Sequence, residues 1–341
     1  MLVALPAAIA YGVAVYSILG AEYVAPGVRA AIVGAIWVGV FTSGFGGAPR
    51  LIAAPSAPAA AVLASVAAGM IALRPAIGPG KALLIMALIS LLTGALQTIY
   101  GLVGGGRMMK YIPFSVVSGY LSAVGVMIFL GQVPTFLGVK GGFLAAVAAP
   151  DRWSWPAIIV GTTSIVGMAL TRKVTRRMPA TVVALMAGTL VYLLLALIRP
   201  ELLRMNGNPW LLGPIGTGSL LDPVPIASMF RGMKELSATD AMTALWPALT
   251  LSVLLSVDSL KSCVIIDTLT FSRHDSNRTL VGQGLGNVAS AIAGGMPGSG
   301  VMGATLVNFE SGGQTRRSGL FASLFVLGSF ARCASARAPA Q

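Results

Sequence analysis

The chain has 341 residues, of which 56% are hydrophobic and 10% are charged, and its formal net charge is +13. Such an apolar composition excludes an ordinary soluble domain and predicts an all-helical, multi-pass protein of the inner or plasma membrane. Most basic residues lie between the apolar runs, where anionic lipid headgroups account for them, so we expect the lipid bilayer and not nucleic acid as a partner.

Seven apolar runs fill the first part of the chain. The first begins at Met1 without a basic segment and is interrupted by Pro6, so we interpret it as a transmembrane span rather than a signal peptide. The seven runs cover residues 1–20, 30–49, 51–73, 82–106, 111–139, 153–171 and 178–198. Together they are predicted to form a first repeat at residues 1–200.

A polar connection at residues 201–240 follows, with an amphipathic piece at 229–236, and we expect it on the extracytoplasmic side. The later apolar runs cover residues 241–266, 279–293, 301–309 and 318–331. We interpret 241–331 as an incomplete second repeat, which gives ten or eleven spans in all. The tail at 332–341 is rich in alanine and arginine, so we expect the chain to stop partway through its eleventh span.

Basic residues orient the spans. Counting spans along the chain places one set of short basic loops on a single side of the membrane, and the positive-inside rule makes that side cytoplasmic. These loops contain Arg50, Arg107, Lys110, Arg172, Lys173, Arg176, Arg177, Arg273, Arg278, Arg316 and Arg317.

Two spans are broken by glycine and proline. Residues 279–309 carry no charge, but GGMPGSG at 294–300 lies in their middle, and helix does not run through such a segment. The third span opens in a similar way with APSAP at 54–58. Breaks at matching positions in two halves are typical of inverted-repeat transporters, whose substrate lies between the half-helix ends. The alternative is that these residues only kink packed helices.

Facing helix N-termini at these breaks would offer free N–H groups and two positive dipole ends, which suit an anion without any arginine. Ser56 and Ser299 add hydroxyl donors beside the two ends. The pattern therefore predicts an anion site between the third and tenth spans.

Asp258 lies deep in the eighth span, where an ionised carboxylate costs about 3 kcal/mol. One interpretation is a structural pair with Lys261, three residues further along the helix. The other is that Asp258 coordinates Na⁺ or carries a proton, together with Ser262 and carbonyls freed near Gly298 and Gly300. Asp267, near the cytoplasmic end, is expected to be a helix cap or a loop contact.

Three stretches carry a resemblance to a known family. They are LPAAIAYG at 5–12, GGGRMMKYIPFSVVSGYLSAVGVMIFLGQ at 104–132 and SRHDSNRTLVGQGLGNVASAIAGGMPGSG at 272–300. In these stretches the chain resembles the sulfate permease (SulP) family of inorganic anion transporters, and the likeness covers nearly all of it. The resemblance implies a seven-plus-seven inverted repeat with gate and core domains, a homodimer, and substrates such as sulfate, bicarbonate, chloride or dicarboxylates.

Within the family, the chain is similar to the branch that includes sodium-coupled bicarbonate transporters. This resemblance also implies roles for particular residues. The implied cation site comprises Asp258, Ser262, Gly298, Ser299 and Gly300, with Na⁺ held at Asp258, Ser262 and Ser299. The implied anion site comprises Ser56, Ala57, Pro58, the backbone amides of Ser299, Gly300 and Val301, and Tyr11. The sequence departs from the family where a common tenth-span arginine is Ala304, and where four further spans and a STAS domain usually follow.

We therefore expect secondary active transport of an inorganic anion of the sulfate or bicarbonate class, coupled to Na⁺ or H⁺ and working by alternating access. The alternatives are a passive anion channel, a nucleobase transporter of the same fold, or an inactive truncated fragment. An enzyme is not expected, because no nucleophile, base and orienting group cluster at one depth. Metal-ligand spacing is also missing among the cysteines and the single histidine, so no cofactor is expected beyond the coupling ion.

Overall fold

The computed structural model describes residues 4–73, 78–108, 114–139, 143–174, 180–203 and 236–335. Its helices are α1 (Ala4–Tyr16), α2 (Val24–Phe45), α3 (Ala57–Leu73), α4 (Pro79–Leu102), α5 (Gly105–Met108), α6 (Phe114–Leu137), α7 (Phe143–Val147), α8 (Trp155–Val174), α9 (Ala180–Ile198), α10 (Ala238–Thr270), α11 (Ser276–Ile292), α12 (Met302–Glu310) and α13 (Arg316–Ser335). Short 3₁₀ turns lie at Ala21–Tyr23, Pro150–Arg152 and Pro200–Leu203. Two strands, β1 (Ala53–Pro55) and β2 (Gly298–Gly300), complete the described elements.

Three described helices are long and apolar enough to cross a membrane: α2, α4 and α10. Shorter apolar helical segments lie at Ala4–Tyr16, Ala57–Ile71, Trp155–Thr171 and Val183–Ile198. The predicted run 30–49 is wrong at both ends, because α2 begins at Val24 and includes Arg29. The last helix also continues to Ser335 rather than ending at residue 331.

Helix α10 is longer than the predicted run 241–266 because both of its ends are capped. Ser237 and Asp240 form a capping box, in which the side chain of each residue accepts a hydrogen bond from the backbone N–H of the other. At the far end Phe271 adopts a left-handed conformation (φ 51°) and its N–H donates to the Asp267 carbonyl. The helix therefore covers 33 residues.

The described residues divide between two compact units: one within 3–117 and 215–341, the other within 118–214. These units are not the predicted repeats, and the boundaries 1–200, 201–240 and 241–331 stay predictions. Most of the predicted connection, including its amphipathic piece up to residue 235, lies outside the described residues, as does the tail beyond residue 335.

The first unit has its main apolar core between α1, α3, α4 and α10. Five large side chains in it are almost completely buried: Leu63, Ile85, Ile89, Leu251 and Leu255. In the second unit α8 packs along α9, and the Trp153 indole N–H donates to the Ala146 carbonyl at 2.9 Å. Helix α9 leaves Leu190, Leu194 and Leu197 exposed, which suits a lipid-facing surface.

The two breaks in the apolar runs pair with each other as short strands. β1 and β2 are antiparallel, with Ala53 opposite Gly300, Ala54 opposite Ser299 and Pro55 opposite Gly298. The sequence predicts the breaks but not these strands. Each strand leads into a helix, β1 into α3 and β2 into α12, so the two helices begin at opposite ends of the ladder.

Helices α4 and α11 make a close approach through glycine. A Cβ added at Gly94 would lie 2.6 Å from the Val288 backbone nitrogen, and one added at Gly101 would lie 2.7 Å from that of Val281. Apolar burial does not drive helices together in lipid, so small residues that allow backbone packing carry much of the association.

We expect Gly94→Ala to lower the stability of the protein by about 1–3 kcal/mol, because the methyl group overpacks the contact with α11. Gly69→Ala is the matched control, since a Cβ there meets nothing within 4 Å. The melting temperature in detergent checks both variants. Equal melting temperatures would show that α4 and α11 do not depend on this approach.

Candidate anion and cation site

The backbone N–H groups of Ser299, Gly300 and Val301, in and just after β2, are engaged in hydrogen bonds within the protein. The Val301 N–H donates to the Ile52 carbonyl at 2.8 Å, and the Gly300 N–H donates to the Ser259 hydroxyl at 2.9 Å. Along an antiparallel pair of strands, every second pair of facing residues is hydrogen-bonded. Ile52 and Val301 form one such pair, so the next is Ala54 with Ser299, and the Ser299 N–H donates to the Ala54 carbonyl. The predicted anion-binding role of the Ser299, Gly300 and Val301 amides is therefore corrected: in this structure they donate to the protein.

Free donors remain one step further along, at the starts of the two helices. The N-cap of α12 is Val301, which makes no side-chain cap, so the first-turn N–H groups at 302–304 have no intrahelical acceptor. At the start of α3 the Ser56 hydroxyl is buried, 5% exposed, and has no hydrogen-bond partner. An unpartnered buried hydroxyl beside a helix N-terminus is a donor available to an anion.

Two of the other predicted anion-site residues lie at one of these helix starts. Ala57 and Pro58 are the first residues of α3, and Pro58 is buried. Tyr11, on α1, packs against the main apolar core. Ala304 is buried in a small apolar cluster with Ala35 and Ile52, so this position supplies no charge to the site.

Asp258 connects α10 to the second break. One carboxylate oxygen, Oδ2, accepts a hydrogen bond from the Ser299 hydroxyl at 2.6 Å, while Oδ1 lies 2.8 Å from the Lys261 ammonium. The Asp258 side chain is 13% exposed. The predicted pair with Lys261 is therefore present, and Ser299 ties the carboxylate to β2, while the coordination of Na⁺ or a proton by Asp258 stays a prediction.

Oxygen atoms converge beside this carboxylate. The Ser262 hydroxyl lies 2.9 Å from the Gly300 carbonyl and 3.0 Å from the Asp258 carbonyl. Its single hydrogen serves one of these acceptors at a time. Carboxylate, hydroxyl and carbonyl oxygens are the ligands of hard cations, so the set fits Na⁺ better than a transition metal.

The Gly298 carbonyl does not belong to this set. It accepts hydrogen bonds from Gln283 Nε2 at 2.9 Å and from Asn287 Nδ2 at 3.1 Å, which occupy both lone pairs. The prediction that this carbonyl is freed for a cation is therefore wrong for this structure.

A buried network of side-chain amides, which the sequence interpretation missed, holds the second break in place. Asn287 Oδ1 accepts from the Gly298 N–H at 2.8 Å, and its Nδ2 donates to Gln97 Oε1 at 2.6 Å. Gln97 in turn donates to the Ser256 hydroxyl at 3.3 Å. Gln97, Gln283 and Asn287 are all completely buried. The available signal was the spacing of Gln283 and Asn287, one helical turn apart in a run without charge.

Asp267 is a loop contact, as predicted. Its Oδ2 accepts from the His274 backbone N–H at 2.9 Å and lies 2.6 Å from the ring Nδ1, while Oδ1 accepts from the Ser272 hydroxyl at 3.3 Å. It closes the turn between α10 and α11 and does not reach the candidate site.

Comparison with known proteins identifies the family of the chain. Residues 1–336 match the sulfate permease family. The chain belongs to this family. Its membership and the matched structures below confirm the helical membrane fold, and they confirm that the chain is not an enzyme, because the family and the matched relatives are transporters.

Relatives are similar over most of this chain but extend beyond it. The bicarbonate transporter BicA of Picosynechococcus sp. is 32% identical over 95% of this chain and 54% of its own length. Sulfate transporter 4.1 of Arabidopsis thaliana is 25% identical over 70% of this chain and 34% of its own. The structure of the transmembrane domain of a cyanobacterial BicA matches with a TM-score of 0.76 and 28% identity, over 98% of this chain and 80% of that one. The chain thus spans about half the length of the BicA relative.

We expect Asn287→Ala to destabilise the protein, because the Gly298 N–H and Gln97 lose buried partners, each at a cost of about 1–3 kcal/mol. Thr250→Val is the control, since the Thr250 hydroxyl is exposed and bonds only to the Trp246 carbonyl in its own helix. Melting temperatures in detergent compare the two variants. If Asn287→Ala were as stable as the control, the amide network would not be what holds β2 in place.

Proposed function

We propose that this protein carries an inorganic anion of the sulfate or bicarbonate class across the membrane, coupled to Na⁺ or H⁺. The observation that carries the proposal is the Asp258–Ser299 hydrogen bond, which joins a carboxylate at membrane depth to the strand between two helix starts. Family membership and relatives named for bicarbonate and sulfate support the substrate class. The same resemblance supports a homodimer, which we also propose.

The anion is assigned to the space between the starts of α3 and α12. The donors there are the Ser56 hydroxyl and first-turn N–H groups. These N–H groups lie at 302–304 in α12 and, because Pro58 has none, at Ala57 and Ala59 in α3. Helix N-termini carry partial positive charge, so they attract an anion without forming a fixed ion pair that would be slow to release it. Weak, dipolar binding suits a carrier whose substrate must leave again on the other side.

The cation is assigned to the oxygen set of Asp258, Ser262, Ser299 and Gly300. Without a cation, a substrate anion that approaches the Asp258 carboxylate is repelled to the extent that Lys261 leaves the carboxylate charge uncompensated. Two bare unit charges about 5 Å apart at an effective dielectric constant of 20 would repel each other by about 3 kcal/mol. Na⁺ or a proton on Asp258 removes this repulsion and so strengthens anion binding. By linkage the anion strengthens cation binding equally, which is the requirement for symport.

Lys261 fits the same scheme as the charge that balances Asp258 between turnovers. Its ammonium is 2.8 Å from Oδ1, whereas the Ser299 hydroxyl occupies Oδ2. A cation entering at Oδ2 exchanges with the Ser299 hydroxyl bond and thereby acts on β2. The site between the broken helices then opens to one side at a time, as alternating access requires.

Uptake into proteoliposomes containing the 341-residue chain tests the proposal. Labelled bicarbonate and sulfate are supplied with and without an inward Na⁺ or H⁺ gradient, and gradient-driven accumulation of either anion is the expected result. Anion flux that only equilibrates would indicate a channel, and uracil uptake a nucleobase transporter. A folded protein without flux in any condition would contradict transport by this chain.

We expect Asp258→Asn to abolish the cation-dependent part of uptake, because an amide neither balances Na⁺ nor carries a proton. Glu310→Gln is the matched control: it removes a carboxylate from the exposed end of α12 and should leave uptake unchanged. Initial rates across a range of Na⁺ concentrations and pH values provide the measurement. Unchanged cation dependence in Asp258→Asn would exclude Asp258 from the coupling step.

A further inference from the structure

A cavity in the first unit lies apart from the candidate site. Its volume is about 250 Å³, and it is bounded by the end of α1, the first turns of α2, α3, α4 and the turn after α11. No anion- or cation-site residue named above lines it. Most of its wall is apolar, including Leu63, Leu83, Leu84, Met86, Ala87 and Met296.

One cation lies in this apolar wall. Arg29 of α2 is half-buried and lines the cavity. The ion pairs among the described residues join Lys81 to Asp240, Lys261 to Asp258 and His274 to Asp267, and none of them involves Arg29. A half-buried arginine in an apolar wall needs an anion or water as its partner. In the described part of the chain, that anion is not supplied by the protein.

The cavity is larger than a single oxyanion needs. At about 30 Å³ per water molecule in the liquid, its volume corresponds to roughly eight waters. A small anion at Arg29 would leave most of the apolar wall against water. A ligand with a charged end and an apolar body satisfies both parts of the lining.

We propose that this cavity binds an amphiphilic anion. Its acidic headgroup pairs with the Arg29 guanidinium, which binds phosphate and carboxylate in a bidentate manner, and the Tyr16 side chain lines the same cavity. Its apolar chain packs on Leu63, Leu83 and Met86. The headgroup chemistry is shared by an acidic membrane phospholipid and by a free fatty acid.

The position of Arg29 in the membrane agrees with such a ligand. The basic loop that contains Arg50 is assigned to the cytoplasm, so the start of α2 lies near the opposite membrane surface. Arginine near the end of a membrane helix meets lipid headgroups at this depth. The ligand can therefore enter from the bilayer rather than through the protein.

The cavity also contacts the segment that leads into the candidate site. Met296 lies in its wall, its N–H donates to the Ala30 carbonyl at 2.9 Å, and its own carbonyl accepts from the Ser290 hydroxyl at 2.8 Å. Strand β2 begins two residues later, at Gly298. A bound amphiphile thus supports the turn that positions β2, and its binding does not depend on whether the protein transports.

The test measures the melting temperature of the purified full chain in neutral detergent with added phosphatidylglycerol, phosphatidylcholine, oleate or sodium sulfate. We expect a rise of several degrees with phosphatidylglycerol, with oleate or with both, and none with phosphatidylcholine, since a ligand that binds the folded state raises its stability. A rise with phosphatidylglycerol alone identifies the bilayer lipid as the source, and a rise with oleate alone identifies a free acid. An equal rise with sulfate would overturn the proposal, because a small anion would then suffice.

Two variants locate the effect. Arg29→Gln should lose most of the rise, whereas Arg317→Gln, an exposed arginine at the start of α13, should keep it. Ala87→Leu narrows the cavity while leaving Arg29 in place and should reduce the rise, with Ala68→Leu on the exposed face of α3 as its control. If Arg29→Gln does not fold, the Ala87→Leu pair decides. Full stabilisation of Ala87→Leu by the same amphiphile would overturn the assignment to this cavity.

Discussion

The structure depends on one constraint: backbone N–H and C=O groups at membrane depth need partners within the protein. Two helices that stop inside the membrane leave such groups unpaired, and here the two stopped segments satisfy each other as β1 and β2. The ladder is short, and Pro55 has no N–H to contribute to it. The remaining groups of β2 are paired by side chains of α10 and α11 instead, so both helices are needed to hold the break open.

This arrangement divides the polar groups around the break into two kinds. The Gln97, Gln283 and Asn287 amides are completely buried and hydrogen-bonded. Gln283 and Asn287 hold Gly298 on its carbonyl, and Asn287 also holds its N–H. The hydroxyls and carboxylate on the other side of β2 have partners they can exchange. A rigid side fixes the geometry, while an adjustable side can admit and release ions, and this asymmetry suits a carrier better than a permanently filled structural site.

Much of this was predictable from local sequence, and the errors have physical causes. The breaks at 54–58 and 294–300 follow from glycine and proline in apolar runs. An isolated charge in such a run points to Asp258, whose role in coupling stays a prediction. The charge-free run 30–49 misses the start of α2 because a charged residue does not end a helix: Arg29 lies within α2, beside a cavity. The occupied amides of Gly300 and Val301 result from pairing with segments far away in the chain, which local patterns do not encode.

The Ser262 hydroxyl lies at nearly equal distances from two carbonyl oxygens, so it can change its acceptor when a cation binds at the proposed site. A cation that coordinates the Gly300 carbonyl oxygen would not leave the Ser262 hydroxyl without an acceptor, because the hydroxyl hydrogen can turn to the Asp258 carbonyl in the same helix. The rotation exchanges one hydrogen bond for another of similar length, so occupancy leaves no buried donor unmet. At the proposed cation site, Ser262 would thus perform the reorganisation that water otherwise provides.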